Sequence, residues 1–457
     1  MSTMHQKNNL LKNTVRLALP ISIQQMLAAS FHLVDTAMVA RLGVIPTAAL
    51  GVSGRWFFWI NLTFFGFASG MGVLVSQFWG IKDTETIRKS FGMGLLNTLA
   101  ISIIASLALF FFTPQLLGIF TNDPLVISEG AKYVKIACWS FIPMSIAYIF
   151  SYLLRSTEIV ILPLIITIIS VMLNTALNYV FIFGNFGFPE MGIRGAALAT
   201  LISSIVQLLL VTTVSYAKKN VAAAKMQELF ALSKAFVKKY YKLALPVLAN
   251  EVLWATGVNV YNMVLGRLGS DNYAAFTIYG SIEQLFFTFF IGVCSACAVI
   301  VGKMVGRGEL DEAYTTARKF MIYGTSLSFG MGLMTLLLRN AIIALVSVPD
   351  VHTAQMISKL LFIYAFAVPM FILPYIAIVG VFRSGGDTKI GLLYDIINVW
   401  FIGVPLVAIT GLLLKWPFEY VFIAMWTEHI IKSIMCIKYF RSKKWIRRVT
   451  DNVTIDA

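Results

Sequence analysis

The chain reads as an all-α polytopic membrane protein, with twelve transmembrane helices in two six-helix lobes related by a pseudo-twofold axis along the membrane normal. Three observations carry this reading. Hydrophobic residues make up 58% of the 457 and charged residues 12%, against about 25% charged in soluble domains. The apolar residues gather into twelve runs, each reaching the roughly 20 residues that cross a bilayer. The second half of the chain also restates the first. A soluble chain of this length would form two or three domains and need far more surface charge. Disorder is excluded by the apolar fraction. An outer-membrane barrel would alternate apolar and polar residues over about ten positions, and Ile101–Phe112 does not alternate.

Each run is bounded by polar sequence. The first, 15–40, follows the polar start MSTMHQKNNLLKNTVR and closes at Arg41-Leu-Gly. That start leads straight into the apolar run, so no cleavable signal peptide is read there. The second, 50–78, ends at GIKD; the third, 92–120, at TND; the fourth, 131–154, at LRSTE. The fifth, 159–184, ends at Asn185, and the sixth, 193–217, at KKN. The seventh, 241–267, the eighth, 276–302, and the ninth, 319–347, close at RLGS, KMVGRGE and VPD. The tenth, 357–382, leads into RSGGD, the eleventh, 390–413, into LKWP, and the twelfth, 417–440, into RSKK. Several runs exceed one crossing, so tilt or protrusion is expected.

Charge placement orients the chain. One alternating set of segments comprises both termini and the loops near 80–91, 155–158, 218–242, 303–319 and 383–389. It holds 26 of the 36 Lys and Arg residues. By the positive-inside rule both termini are cytoplasmic, as an even number of spans requires. The formal net charge of +15 therefore reads as topology with some attraction to anionic lipid, and no nucleic-acid partner is expected.

The repeat has an offset of 226. LALPISIQQMLAASFHLVDTAMVARLG (17–43) lies over LALPVLANEVLWATGVNVYNMVLGRLG (243–269) with ten identities in 27 positions. Further on, LRSTE (154–158) parallels FRSGGD (382–387) at a slightly larger offset. Six spans per repeat give both halves one orientation, hence an axis along the membrane normal. The domains are placed at 1–217 (N-lobe), 218–240 (a basic, amphipathic cytoplasmic linker) and 241–457 (C-lobe).

Ionisable residues at membrane depth are costly, so each is a candidate for function. Asp35 lies fifteen residues after Pro20, which removes a backbone bond and can bend the first helix, and one turn after His32. Asn174 and Asn178 are spaced i, i+4 on the fifth run and face the same way; Thr200 on the sixth adds a hydroxyl. One carboxylate, two amide carbonyls and a hydroxyl make a small hard-oxygen cage that suits Na⁺, while the carboxylate alone suits a proton. Bland readings stand beside these: a helix end for Asp35, and helix–helix hydrogen bonds for the asparagines, worth about 0.6 kcal/mol in membranes. The second half differs. Tyr261 matches Asp35, and Glu251 matches Gln25. Glu251, Glu283 and Asp395 are candidates for contacting substrate or carrying a proton, and Glu428–His429 is a further pair.

Other chemistries find little support. Cys294 and Cys297 lie in an apolar run without a second pair, and all four cysteines sit in such runs, so neither a disulfide framework nor a redox motif is implied. GGDT at 385–388 lacks the lysine pattern of a phosphate loop. Four histidines and the lack of a catalytic constellation weigh against a membrane-embedded enzyme.

The segments VDTAMVARLG with Pro20 and Asp35, NFGFPEMGIRGAALAT (185–200), LRSTE, VFRSGGDTK and the repeated LALP and RLG together resemble the multidrug and toxic compound extrusion (MATE) family along essentially the whole chain. The resemblance implies two six-helix lobes and export of drugs or toxic organic cations by antiport of Na⁺ or H⁺. It implies a cation site at Asp35, Asn174, Asn178 and Thr200, and a bending role for Pro20. In the branch resembling norfloxacin exporters a seventh-helix Glu fits Glu251, but the tenth-helix Asp of that branch falls on Ile372. The expected partners are small organic compounds and membrane lipids. A monomer in the inner (plasma) membrane of a bacterium is expected, with no cofactor beyond the coupling ion. A lipid-precursor flippase and a narrow metabolite exporter are the rival transport readings.

Overall fold

The computed structural model describes residues 2–346 and 351–451, without the side chains of residues 2–11, 31, 32, 345 and 346. The expected support of Asp35 by His32 thus lies outside the described side chains. Among the described residues there are twelve helices long and apolar enough to cross a membrane and no strand beyond one isolated bridge. In chain order they are α1 (Ser2–Ala40), α2 (Val44–Gly80), α3 (Thr84–Phe111), α4 (Pro124–Ser156), α5 (Ile161–Phe183) and α6 (Ile193–Ala217), then α7 (Lys234–Gly266), α8 (Ser270–Arg307), α9 (Leu310–Val346), α10 (Val351–Phe382), α11 (Lys389–Leu413) and α12 (Phe418–Arg441).

Packing divides the chain into two compact units, one of residues 23–244 and one of residues 1–22 with 245–457. The repeat read in the sequence is a repeat of packing. In the 23–244 unit, α2, α3 and α4 pack on one another, α4 on α6, and α5 on α6. In the other, α8, α9 and α10 pack on one another, α10 on α12, and α11 on α12. Close approach relies on small residues, as lipid-solvated helices require. The buried stretch of α2 from Gly66 to Gly70 contains Ala68 and Ser69. A Cβ on Gly195 would fall 2.6 Å from the Phe181 carbonyl, so α6 can cross α5 only there as glycine.

Prolines set where helices deviate. The third apolar run was expected to continue to 120, but α3 ends at Phe111 because Pro114 follows and opens a separate short helix, Thr113–Gly118. The fourth helix starts seven residues earlier than its apolar run, since Asp123 accepts a hydrogen bond from the Leu125 amide at 2.9 Å and Pro124 stands in the first turn. In α10, Pro374 has no N–H to give, and the carbonyl four residues before it, Met370, instead accepts the Ser433 hydroxyl of α12 at 2.9 Å. The helix then widens to π geometry over Ile376–Phe382, and α11 widens likewise over Ile396–Gly403.

The linker is built from short pieces. Residues 218–225 form turns, Met226–Phe230 a single short helix, and α7 begins at Lys234. Leu229 is buried against α3, and Arg88 of α3 pairs with Glu228 at 2.7 Å. At the other end of the chain, Trp445 is fully buried beside Gly385, whose carbonyl accepts the Arg447 amide at 2.6 Å.

The linker seat generates a prediction. A Cβ on Gly92 would fall 2.1 Å from the Leu229 carbonyl oxygen, a backbone atom that cannot simply rotate away. Gly92→Ala is expected to lower stability by about 1–3 kcal/mol through overpacking and to speed protease cleavage between residues 218 and 233. Wild-type melting together with wild-type cleavage would show that the linker does not rest on that glycine.

Candidate functional site

Asp35 is carried by the second half of α1 and is 6% exposed. The Asn178 amide of α5 donates to Asp35 Oδ1, and also to Asn174 Oδ1 at 3.0 Å. The i, i+4 spacing on α5 thus does what it was read to do: it stacks two amides on the face that meets α1. Both asparagines are buried. Each keeps one polar atom without a hydrogen-bond partner, Asn178 Oδ1 as an acceptor and Asn174 Nδ2 as a donor. Buried polar atoms are seldom left so. An unpartnered amide oxygen beside a carboxylate is the donor set a small hard cation uses. Among the described residues no three His, Cys, Asp or Glu side chains are grouped to hold a metal.

Asp35 and Thr200 open into a cavity of about 720 Å³ within the 23–244 unit. Its walls are partly aromatic, with Phe57, Phe58, Tyr133 and Tyr148, and partly amide and hydroxyl, with Gln24, Thr167, Ser203 and Gln207. Asn174 and Asn178 are behind Asp35 and do not line it. The charged residues of the lining are Asp35 and Arg155. Tyr133, which the sequence offered no reason to choose, is buried in α4 beside Asp35 and Thr200. Pro20 is inside α1, whose helix continues through it.

The second unit gathers its charges differently. Arg383 donates to Glu251 Oε1 and to Asn250 Oδ1, both at 2.6 Å. Asn250 in turn donates to Asp395, which also takes the Lys432 ammonium. The Tyr261 hydroxyl donates to Glu428 Oε2 at 2.5 Å. Gly403 makes room for that contact, since a Cβ there would fall 1.9 Å from the hydroxyl. His429 Nε2 lies 3.6 Å from Glu428 and its ring packs on Phe371 and Trp426. Of the acidic candidates, Glu251 and Asp395 therefore belong to one network. Glu283 stands apart, half-buried beside Tyr279 and Tyr364.

Two cations counted as loop charges are corrected by this geometry. Arg383 is 3% exposed and ion-paired, and Arg155, in the last turn of α4, is 6% exposed and faces the cavity. Both were legible as a pair, because they occupy the same place in the matched segments LRSTE and FRSGG.

The match extends through the network. At offset 226, Gln24, Gln25 and Asp35 correspond to Asn250, Glu251 and Tyr261; at the offset of 228 set by the two arginines, Thr167, Thr200 and Ser204 correspond to Asp395, Glu428 and Lys432. The contacts agree. Gln24 donates to Thr167 at 3.1 Å where Asn250 donates to Asp395, and Arg155 reaches Gln25 at 3.5 Å where Arg383 reaches Glu251. One framework thus carries two charge patterns.

The MatE family model matches residues 20–180 and 246–409. A probable multidrug resistance protein NorM from Thermotoga maritima is 26% identical over 456 residues, covering 96% of this chain and 93% of that protein. An uncharacterized transporter from Bacillus subtilis, YisQ, is 22% identical, covering 94% of each. Among solved structures, the crystal structure of MATE in the bent conformation aligns with a TM-score of 0.87 at 18% identity, covering 95% of each chain. The two matched segments of the family model begin at corresponding points of the two repeats, and on that match the chain belongs to the MatE family of transporters.

Proposed function

We propose that this chain exports small organic compounds, cationic ones among them, by antiport against Na⁺ or H⁺, with both termini in the cytoplasm of a bacterial cell and the protein acting as a monomer. The observation that carries the reading is a single carboxylate, Asp35, buried at the wall of a drug-sized cavity and held by an amide whose own oxygen has no partner. A carboxylate out of water gains most from a cation that arrives beside it. If the cation's arrival weakens binding of the organic compound, the compound weakens binding of the cation by the same factor, and the ion gradient can drive export. Thr200 and the Asn178 carbonyl supply further oxygens for Na⁺; a proton needs only Asp35. The curated multidrug relatives support the substrate class.

The test is reconstitution of the full chain into liposomes with a Na⁺ or pH gradient imposed separately and ethidium as cargo. Wild type is expected to accumulate ethidium against its gradient under one of the two. Asp35→Asn preserves shape and hydrogen bonding but not charge. It is expected to abolish uphill transport while melting like wild type. Uphill transport by that variant at the wild-type rate would overturn the assignment.

In the second unit, Glu251 and Asp395 are proposed to act through their ion pairs, and Glu283 as a separate contact for cationic cargo. Glu251→Gln leaves Arg383 buried without its carboxylate, a change of about 3–5 kcal/mol when such a pair is broken from one side. The expected result is a lower melting temperature, partly recovered in Glu251→Gln/Arg383→Gln, with export of cations reduced more than export of neutral compounds. Equal melting of wild type and the single variant would remove the pair from the account.

A further inference from the structure

We propose that the C-terminal segment 443–450 is a strap that positions Arg383, so that Trp445 and Arg447 act on the Arg383–Glu251 pair from outside it. This goes beyond the export reading, and it is tested by stability and hydrogen exchange whether or not the chain moves organic cations.

Arg383 opens the turn between α10 and α11, and its guanidinium reaches back to Glu251 and Asn250 of α7. An arginine loses much rotamer freedom when it is ordered, and a desolvated ion pair offsets its own cost only in good geometry. The backbone that carries Arg383 therefore matters. That backbone is intrinsically loose. α10 widens to π geometry immediately before it, over Ile376–Phe382. Two glycines follow it, and Gly386 has φ +94°.

The tail grips this turn on both sides of Arg383. Before it, the Phe382 ring meets Tyr439 edge-on at 5.2 Å and packs against Trp445 at 6.4 Å. After it, the Gly385 carbonyl accepts the Arg447 amide at 2.6 Å, and Ile446 bridges antiparallel to Gly386. Asp387, 3% exposed, takes the Arg447 guanidinium at 2.8 Å and the Tyr439 hydroxyl. A Cβ on Gly385 would fall 2.6 Å from the Trp445 carbonyl oxygen, so glycine is what admits the tail here. The strap is itself anchored. The buried Trp445 indole donates to the Phe440 carbonyl at 3.2 Å and stacks on the Phe440 ring, which stacks on Tyr314 of α9 at 4.7 Å. Lys443 pairs with Asp311 at 3.2 Å, and the Thr450 hydroxyl donates to the Gly306 carbonyl at 3.4 Å. The segment thus fastens the α10–α11 turn to the ends of α8 and α9 that face it.

The first unit fastens the corresponding turn with a different part. Glu158 closes LRSTE as Asp387 closes FRSGGD, and it accepts the indole N–H of Trp79, at the end of α2, at 3.2 Å. At offset 226 the residue matching Trp79 is Val305, which has no side-chain donor. The second unit therefore draws its indole and its donors from the tail. The difference follows the charges. Arg383 is held to Glu251 at 2.6 Å, whereas Arg155 reaches the neutral Gln25 at 3.5 Å.

The experiment uses the purified full chain in phosphatidylcholine nanodiscs. Trp445→Ala and Arg447→Gln are each made in wild type and in Glu251→Gln/Arg383→Gln, and melting is measured in every case. A strap that acts through Arg383 is coupled to the pair, so each tail substitution should lower the melting temperature about twice as much in wild type as in the background without the pair. Equal falls in the two backgrounds would overturn the proposal, because contacts that only fasten the turn add independently of the pair. If Trp445→Ala leaves too little folded protein to measure, Arg447→Gln carries the comparison, since it leaves the indole in place. Hydrogen exchange gives the second reading. Arg447→Gln should raise deuterium uptake in 382–388 and also in 247–254 of α7, where Arg383→Gln should raise it too. A rise confined to 382–388 would equally overturn the positioning role.

Discussion

A charge removed from water must find a partner nearby, and the interior of this protein is arranged around that demand. Asp35 is met by an asparagine amide, Glu251 by Arg383, Asp395 by Lys432, and Glu428 by a tyrosine hydroxyl. None of these partners is adjacent in sequence. Each contact ties two helices of one unit together: α1 to α5, α7 to α10, α11 to α12, and α7 to α12. Apolar packing cannot supply the same specificity, because lipid chains solvate a leucine as well as another helix does. The polar pairs select which helix faces which, and glycines such as Gly195 and Gly403 let the backbones come near enough for them to form.

The duplication of this framework explains why its two copies can differ in role. Both units keep the same helix contacts and the same arginine near the end of the fourth helix of the repeat. Around it, one unit installed carboxylates and an ammonium, and the other kept amides and hydroxyls. In the second unit each of Glu251, Asp395 and Glu428 has a partner on another segment, and these contacts hold its helices in register. The first unit has a cavity with a positive and a negative end.

Much of the fold was legible because a membrane helix announces itself by length and composition. The starts and ends of α6, α11 and α12 fall within a residue or so of the apolar runs. Where the reading erred, a local rule outranked hydropathy. Pro114 cut the third run short, and the cap at Asp123 lengthened the fourth. The shared face of Asn174 and Asn178 was legible from helical spacing; that Asn178 alone reaches Asp35, with Asn174 bonded to Asn178, was not. Arg155 and Arg383 were misplaced because the charge-asymmetry rule treats every Lys and Arg near a helix end as solvated. Which of them turns inward depends on partners over a hundred residues away, such as Gln25 and Glu251. Tyr133 carried no signal at all, since a tyrosine in an apolar helix looks like any other packing residue.

Acid and hydroxyl stand in opposite hands in the two units: Asp35 of α1 and Thr200 of α6 face one cavity, whereas Tyr261 of α7 and Glu428 of α12 are hydrogen-bonded. Genetic drift at these four positions is therefore constrained in twos. Loss of Tyr261 strands the acid of α12, and a second acid at Thr200 would crowd the acid of α1. The same substitution at corresponding positions therefore meets a different neighbour in each half, even though the two helix frameworks are alike.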